Sequence, residues 1–309
     1  MARRRWAMSW QARLAHWLLW LRFRRRSREM EAATPEAIAA EFSRMASSSR
    51  RWLPSPPRDL VVEATPRGEW LRLDGSKAVR SVFYCHGGGY FWGSPLDYRD
   101  FGWRLAQALE AEVFLLDYRL APAHRCPAAL DDSLSAWRAL VADGLDPART
   151  VMAGDSAGGG LALATLMALR DAGEPLPALA CLISPWTDMT GAGASLRTRY
   201  RADPMLSPAG LQAAATLYCA DEVPFDDWRA SPLLGDHHGL PPTLIQVGGD
   251  EVLLSDSERL HARLAAAGVV SELRVWPGMY HVWHLGAAFV PEGRRAIGEL
   301  AQFVARKMP

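Results

Sequence analysis

The chain has 309 residues, of which 49% are hydrophobic and 22% charged, with 35 Lys+Arg against 34 Asp+Glu and a net charge of +1. That is the balance of a soluble globular protein, long enough for two domains or for one large α/β domain with an accessory piece. It excludes whole-chain disorder, a collagen-like fibre and a disulfide scaffold, and the near-neutral charge gives no global footprint for nucleic acid.

The charge is unevenly placed. Residues 1–30 hold nine Arg and one acidic residue, Glu29, a local +8 that leaves −7 on the remainder. The longest wholly apolar stretch there, Trp17 to Leu21, is far short of the ~20 residues of a membrane span or the 7–15 of a signal-peptide core. No secretion signal is visible. Trp6, Trp10, Leu14, Trp17 and Leu21 recur at spacings of 4, 4, 3 and 4, which places them on one face of a helix that something must cover. Next, Thr34 reads as a cap with Pro35 at the first position of a second helix, and the SSS and PSPP runs mark a linker and a boundary near residue 50.

From there short apolar or β-branched runs alternate with helical patterns. LVVEAT, EWLRLD and VRSVFYC come first, then a helix around 95–109, EVFLLD, a helix around 126–142, TVMAG and a helix over 157–171. ALACLIS (178–184), TLIQVG (243–248), a helix over 254–267, SELRVW (271–276) and a last helix from about 292 to 306 continue the pattern. Such alternation predicts a mostly parallel sheet with helices on both faces. Residues 189–230 break the rhythm and read as an insertion. The four cysteines, Cys85, Cys126, Cys181 and Cys219, lack C-x-x-C spacing and read as free thiols of a reducing, cytoplasmic compartment.

Gly154-Asp155-Ser156-Ala157-Gly158 is a G-x-S-x-G between the strand TVMAG and the helix LALATLMALR. In that context the serine sits exposed on a sharp strand-to-helix turn, where the helix N-terminus favours developing negative charge. A glycine-rich turn with a capping serine is the plainer alternative for the pentapeptide alone. Further residues favour chemistry. Asp250 follows TLIQVGG and His281 follows SELRVW, in the chain order Ser, acid, His expected for this turn. Asp256 competes for the acid but lies within a helix. His284 competes for the base; the i, i+3 pair H-V-W-H lacks the neighbouring ligands of a metal site and reads as a surface or core histidine. His237-His238 reads as solvated. His86-Gly87-Gly88-Gly89, after VRSVFYC, suits a loop that turns its amides toward an oxyanion, with Ala157 supplying another amide.

These residues together resemble the hormone-sensitive-lipase-like family of α/β-hydrolase serine esterases, in the group whose nucleophile motif reads G-D-S-A-G. The resemblance runs from about residue 80 to the C-terminus. It is carried by HGGGYFWGS (86–94), DYRLAPAHRCPAALDD (117–132), GDSAGGGLA (154–162), SPWTD (184–188), GGDEVLLSDS (248–257) and VWPGMYHVWH (275–284). It departs at Ala123, where the family usually has a glutamate outside the triad.

The resemblance implies an α/β-hydrolase fold, an eight-stranded mostly parallel sheet flanked by helices, with a helical cap. Residues 1–50 and 189–230 would form the cap, and 51–188 with 231–309 the core. It implies Ser156 as nucleophile, His281 as base and acid, Asp250 as its partner, and the amides of Gly88, Gly89 and Ala157 as oxyanion donors, with His86 holding the loop through its ring nitrogens. Trp17 and Trp20, with Leu18 and with Asp155 beside the nucleophile, become candidates for binding substrate. The expected activity is hydrolysis of short- to medium-chain carboxylic esters through an acyl-enzyme, with no cofactor or metal and no nucleic acid partner. Lactone or amide hydrolysis, and a non-catalytic small-molecule receptor, are the alternatives. Peripheral membrane contact through the basic Trp-rich N-terminus and a homodimer are open to the chain. Activity is expected to rise with pH around the ordinary histidine value of about 6.5.

Overall fold

The computed structural model describes residues 8–24, 34–49, 57–220 and 222–308. Trp6 and the boundary near residue 50 lie outside them. Eight strands form one sheet: β1 Leu60–Thr65, β2 Gly68–Leu73, β3 Arg80–Cys85, β4 Ala111–Leu116, β5 Thr150–Asp155, β6 Leu179–Ile183, β7 Thr243–Gly248 and β8 Ser271–Trp276. Their order is β1-β2-β4-β3-β5-β6-β7-β8, with the first three antiparallel neighbours and the rest parallel. Edge strand β1 alternates half-buried and exposed positions, whereas β5, β6 and β7 are buried throughout, which is why they read as unbroken apolar runs.

Alternation along the strands divides the core in two. Phe83, Phe114, Met152 and Ile245 face one side with Trp137 and Leu161, which lie on α4 (Ala128–Ala142) and α5 (Ser156–Asp171). Val82, Tyr84, Val113 and Val151 face the other with Phe101 and Phe303, from α3 (Pro95–Leu109) and α9 (Pro291–Lys307). The insertion contains the short α6 (Ser195–Thr198) and α7 (Pro208–Cys219), and α8 (Leu254–Ala266) follows β7. The N-terminal helix α2 (Pro35–Ser49), whose Ala37 N–H bonds the Thr34 hydroxyl as its sequence predicts, packs against α7.

Helix α1 (Trp10–Leu19), continued by a π-helical turn over Trp20–Arg24, has its own seat. Ala12 is fully buried against a cluster of Met279, Tyr280, Trp283, Val290 and Ala296, joined by Met8, Ala15 and Leu19. Ser9 caps the helix by accepting the Ala12 N–H and ties it to α9 through its own N–H and hydroxyl, both donated to the Glu292 carboxylate at 2.8 Å. All four cysteines are buried and unpaired.

Candidate active site

The parallel register lines up Cys85 with Gly154, Asp155 with Ile183, Ile183 with Gln246 and Gly248 with Trp276, so the loops after five strands open onto one carboxyl edge. At its centre Ser156 begins α5 with φ of 53°, a left-handed conformation that costs a non-glycine residue about 1–3 kcal/mol and lifts its side chain off the sheet. The flanking glycines are steric necessities. A Cβ on Gly154 would lie 2.3 Å from the Gly158 carbonyl, and one on Gly158 would lie 2.1 Å from that of Cys85.

The Ser156 hydroxyl donates to His281 Nε2 at 2.9 Å, and His281 Nδ1 donates to Glu251 Oε2 at 2.7 Å. The other Glu251 oxygen accepts the Ser184 hydroxyl at 2.8 Å and the Gly248 N–H. All of this is removed from solvent: Glu251 is fully buried, and His281 and Ser156 nearly so. Burial alone would depress the His281 pKa, but the bond to Glu251 and the charges of Glu251, Asp203 and Asp155 outweigh it and hold it above the ordinary value.

The glycine loop lies alongside. Its first amide, Gly87 N–H, is shared between Asp155 Oδ1 at 2.9 Å and the Tyr98 hydroxyl at 3.0 Å. Gly88 has φ of 120°, and a Cβ there would fall 1.9 Å from the Trp92 carbonyl. Among the described residues the N–H groups of Gly88 and Gly89 take part in no hydrogen bond. Ala157, second in α5, has an N–H with no acceptor inside its helix. The bond from Gly87 to Asp155, the residue before Ser156, ties the glycine loop to the nucleophile turn. His86 stacks on Tyr118, with ring centroids 4.3 Å apart, and its Nδ1 bonds the Gly87 carbonyl at 2.8 Å. Among the described residues Nε2 has no partner, and burial keeps the ring neutral with a pKa of about 4.

The α/β-hydrolase-fold family matches residues 82–285. An acetyl-hydrolase of Streptomyces hygroscopicus is 42% identical over 93% of each chain, and an esterase of Acinetobacter venetianus is 37% identical over 80% of this chain and 83% of its own. The crystal structure of an esterase from the bacterial hormone-sensitive lipase family superposes with a TM-score of 0.89, at 37% identity, covering 98% of this chain and all of that one. The chain is an α/β-hydrolase of the hormone-sensitive-lipase-like group.

In this α/β-hydrolase the sequence-predicted Ser156 and His281 come together, but Asp250 does not join them. Its N–H is fixed to the Met279 carbonyl at 3.1 Å, and no hydrogen bond links it to His281. The turn after β7 instead folds the next side chain, Glu251, back under the histidine, where Gly248 and Ser184 hold it. Asp155 also departs from expectation. It is 1% exposed and accepts bonds from Tyr84, Tyr98 and Gly87, so it anchors the glycine loop rather than facing a substrate. Asp256 pins the SPWTD loop by accepting the Thr187 and Asp188 amides.

Trp17, Leu18 and Trp20 are 55%, 52% and 41% exposed. The seat of α1 takes the stripe Met8, Ala12, Ala15, Leu19, whose alanines let the helix approach Tyr280 closely, and the bulky tryptophan stripe is left outside. His284 is a core histidine bonded to the Gln246 side chain at 2.9 Å. His238 is exposed beside Asp236, but His237 is buried rather than solvated. Besides Glu251, two contributors carried no assigned role in the sequence. Ser184, within SPWTD, braces Glu251. Asp203, in the insertion, accepts the Met205, Leu206 and Val252 amides, so it fastens the insertion to the residue after Glu251.

Proposed function

We propose that this protein is a serine carboxylesterase that hydrolyses short- to medium-chain esters through an acyl-enzyme, with Ser156, His281 and Glu251 as its triad. The observation that carries the reading is the unbroken line from the Ser156 hydroxyl through His281 to Glu251, at 2.9 and 2.7 Å, on a strained strand-to-helix turn. Its relationship to an acetyl-hydrolase supports an ester substrate with a small acyl group.

The chemistry follows from the groups. His281 Nε2 takes the serine proton as Ser156 Oγ attacks the ester carbonyl, and the buried Glu251 carboxylate stabilises the imidazolium and fixes its tautomer. Oxyanion charge develops between the amides of Gly88, Gly89 and Ala157, each donor lowering the barrier by roughly 3 kcal/mol. His281 then returns the proton to the departing alcohol, and water, activated by the same nitrogen, releases the acid. The packing of α2 on α7 supports reading these helices as the cap.

Turnover of p-nitrophenyl esters from acetate to palmitate, by wild type and Ser156→Ala, tests the reading. Wild type is expected to favour the shorter chains, and the variant to lose several orders of magnitude. Equal inertness of two folded proteins would overturn it in favour of a small-molecule receptor.

A further inference from the structure

Helix α1 carries two apolar stripes of the same period. The inner one, Met8, Ala12, Ala15 and Leu19, is seated against Met279, Tyr280 and Trp283. The outer one, Trp10, Leu14, Trp17 and Leu21, with Leu18 and Trp20 beside it, is buried by none of the described residues: Trp10 is 70% exposed. Half of the large apolar side chains that the described residues leave exposed fall within these twelve positions, including every exposed tryptophan. A concentration of this kind marks an interaction surface rather than ordinary scatter.

The surface is held in place. Ser9 ties the start of the helix to Glu292, and His16 Nε2 donates to the Ala202 carbonyl at 3.1 Å while its ring meets Tyr280 edge-on. The tryptophans are therefore displayed by a fixed helix. Charge decides what they face. Arg13 and Arg22 lie on the helix and the turn that follows it, and the sequence places Arg3, Arg4 and Arg5 before it and Arg24, Arg25, Arg26 and Arg28 after, with no acidic residue before Glu29. A second copy would bring two strongly cationic segments together, which opposes self-pairing. Nucleic acid would satisfy the arginines but not the leucines.

We propose that the outer face of α1 docks on the surface of an anionic lipid bilayer, tryptophan and leucine side chains entering the headgroup boundary and arginines meeting lipid phosphates. Indole rings favour that boundary, and a basic amphipathic helix lying in its plane gains from both apolar burial and charge. Because the inner stripe touches Tyr280, the residue before His281, docking would hold the triad's histidine loop close to the membrane. The docking itself does not depend on the esterase reading.

Co-sedimentation of the full chain with vesicles tests it, whether or not an ester is turned over. With phosphatidylcholine vesicles containing about one quarter phosphatidylglycerol, wild type is expected to pellet at least about tenfold more than with phosphatidylcholine alone. The triple variant Trp10→Gln, Leu14→Gln, Leu21→Gln is expected to stay in the supernatant while keeping the wild-type melting temperature and its turnover of a water-soluble ester. Wild type that remains soluble beside anionic vesicles overturns the proposal, as does a variant that pellets equally. A wild-type dimer that the variant converts to monomer, without vesicle binding, overturns it in favour of a protein interface. Retention on a short DNA duplex without vesicle binding overturns it in favour of nucleic acid.

Discussion

Glu251 and Asp250 are neighbours of equal charge, and only Glu251 touches His281. Glu251→Gln keeps the length of the side chain but removes the anion that stabilises the imidazolium, so kcat is expected to fall by roughly 10⁴-fold. Its loss also removes the largest influence raising the His281 pKa, and the acid limb of kcat/KM should move to lower pH. Asp250→Asn is expected to leave both near wild type. In wild type the base must be neutral to accept the serine proton, so activity falls as pH drops through its raised pKa, and the limb belongs above the ordinary value of about 6.5. A kcat/KM profile from pH 5 to 9 for the three proteins checks all of this; a wild-type limb at or below 6.5 would contradict the Glu251 contact. Nothing in the string Gly-Gly-Asp-Glu distinguishes the two acids. What selects Glu251 is the local bond from Gly248 to its carboxylate together with the bond from the Asp250 N–H to Met279, and the second exists only once β7 and β8 lie side by side. Asp203 was hidden for a similar reason, since it acts across 49 residues on Val252. An Asp203→Asn change would set an amide NH₂ against one of three buried N–H donors, costing about 1–3 kcal/mol. It would also withdraw a charge that supports the imidazolium, so a lower melting temperature should accompany a downward shift of the same acid limb.

At the scale of elements, β3, β5 and α5 form one tightly fitted joint. Gly158 sits where α5 crosses the end of β3, and a single methyl group there would be 2.1 Å from the Cys85 carbonyl and 2.3 Å from that of His86. Both obstacles are backbone, so no rotamer change relieves them, and the helix must move away from the glycine loop. Gly158→Ala is therefore expected to cost about 1–3 kcal/mol or more in thermal unfolding and to lower kcat more than it raises KM, because the Ala157 amide moves relative to Gly88 and Gly89. An unchanged kcat would show that these amides do not act together. This joint was legible in the sequence because the approach of Gly154 to Gly158 is local to the strand-turn-helix, although the β3 carbonyls that also confine Gly158 are distant in the chain. So were the strands, whose apolar runs β5 to β7 are buried on both faces. The orientation of α1 was not, since two stripes of identical period run along it and periodicity alone does not say which one is seated. The stripe that is seated has Ala12 and Ala15 at its middle, with Met8 and Leu19 at its ends, against Tyr280 and Trp283.

Across the whole molecule, the N-terminal helix is tied to the C-terminal one: Ser9 and Glu292 are 283 residues apart and share two hydrogen bonds. The alternation of strands and helices was enough to foresee the sheet between them, but a contact of this span leaves no local pattern. Its energetic sign can be worked out. Burial works to raise the Glu292 pKa, yet the bonds from Ser9 and the nearby Arg295 outweigh it and hold the carboxyl below its ordinary value. A carboxyl depressed on folding contributes stability that is present above its unfolded pKa, near 4.3, and is lost as pH falls through the lower folded value. Ser9→Ala removes one of the two bonds together with the side-chain cap of α1, and about 1–2 kcal/mol of stability at pH 7 should go with them. The carboxyl then returns toward its ordinary pKa, so the variant should lose less stability than wild type when unfolding at pH 7 is compared with unfolding at pH 3. Equal losses in the two proteins would mean that Glu292 does not hold α1 in solution, and that the outer face of this helix is not fixed by the rest of the fold.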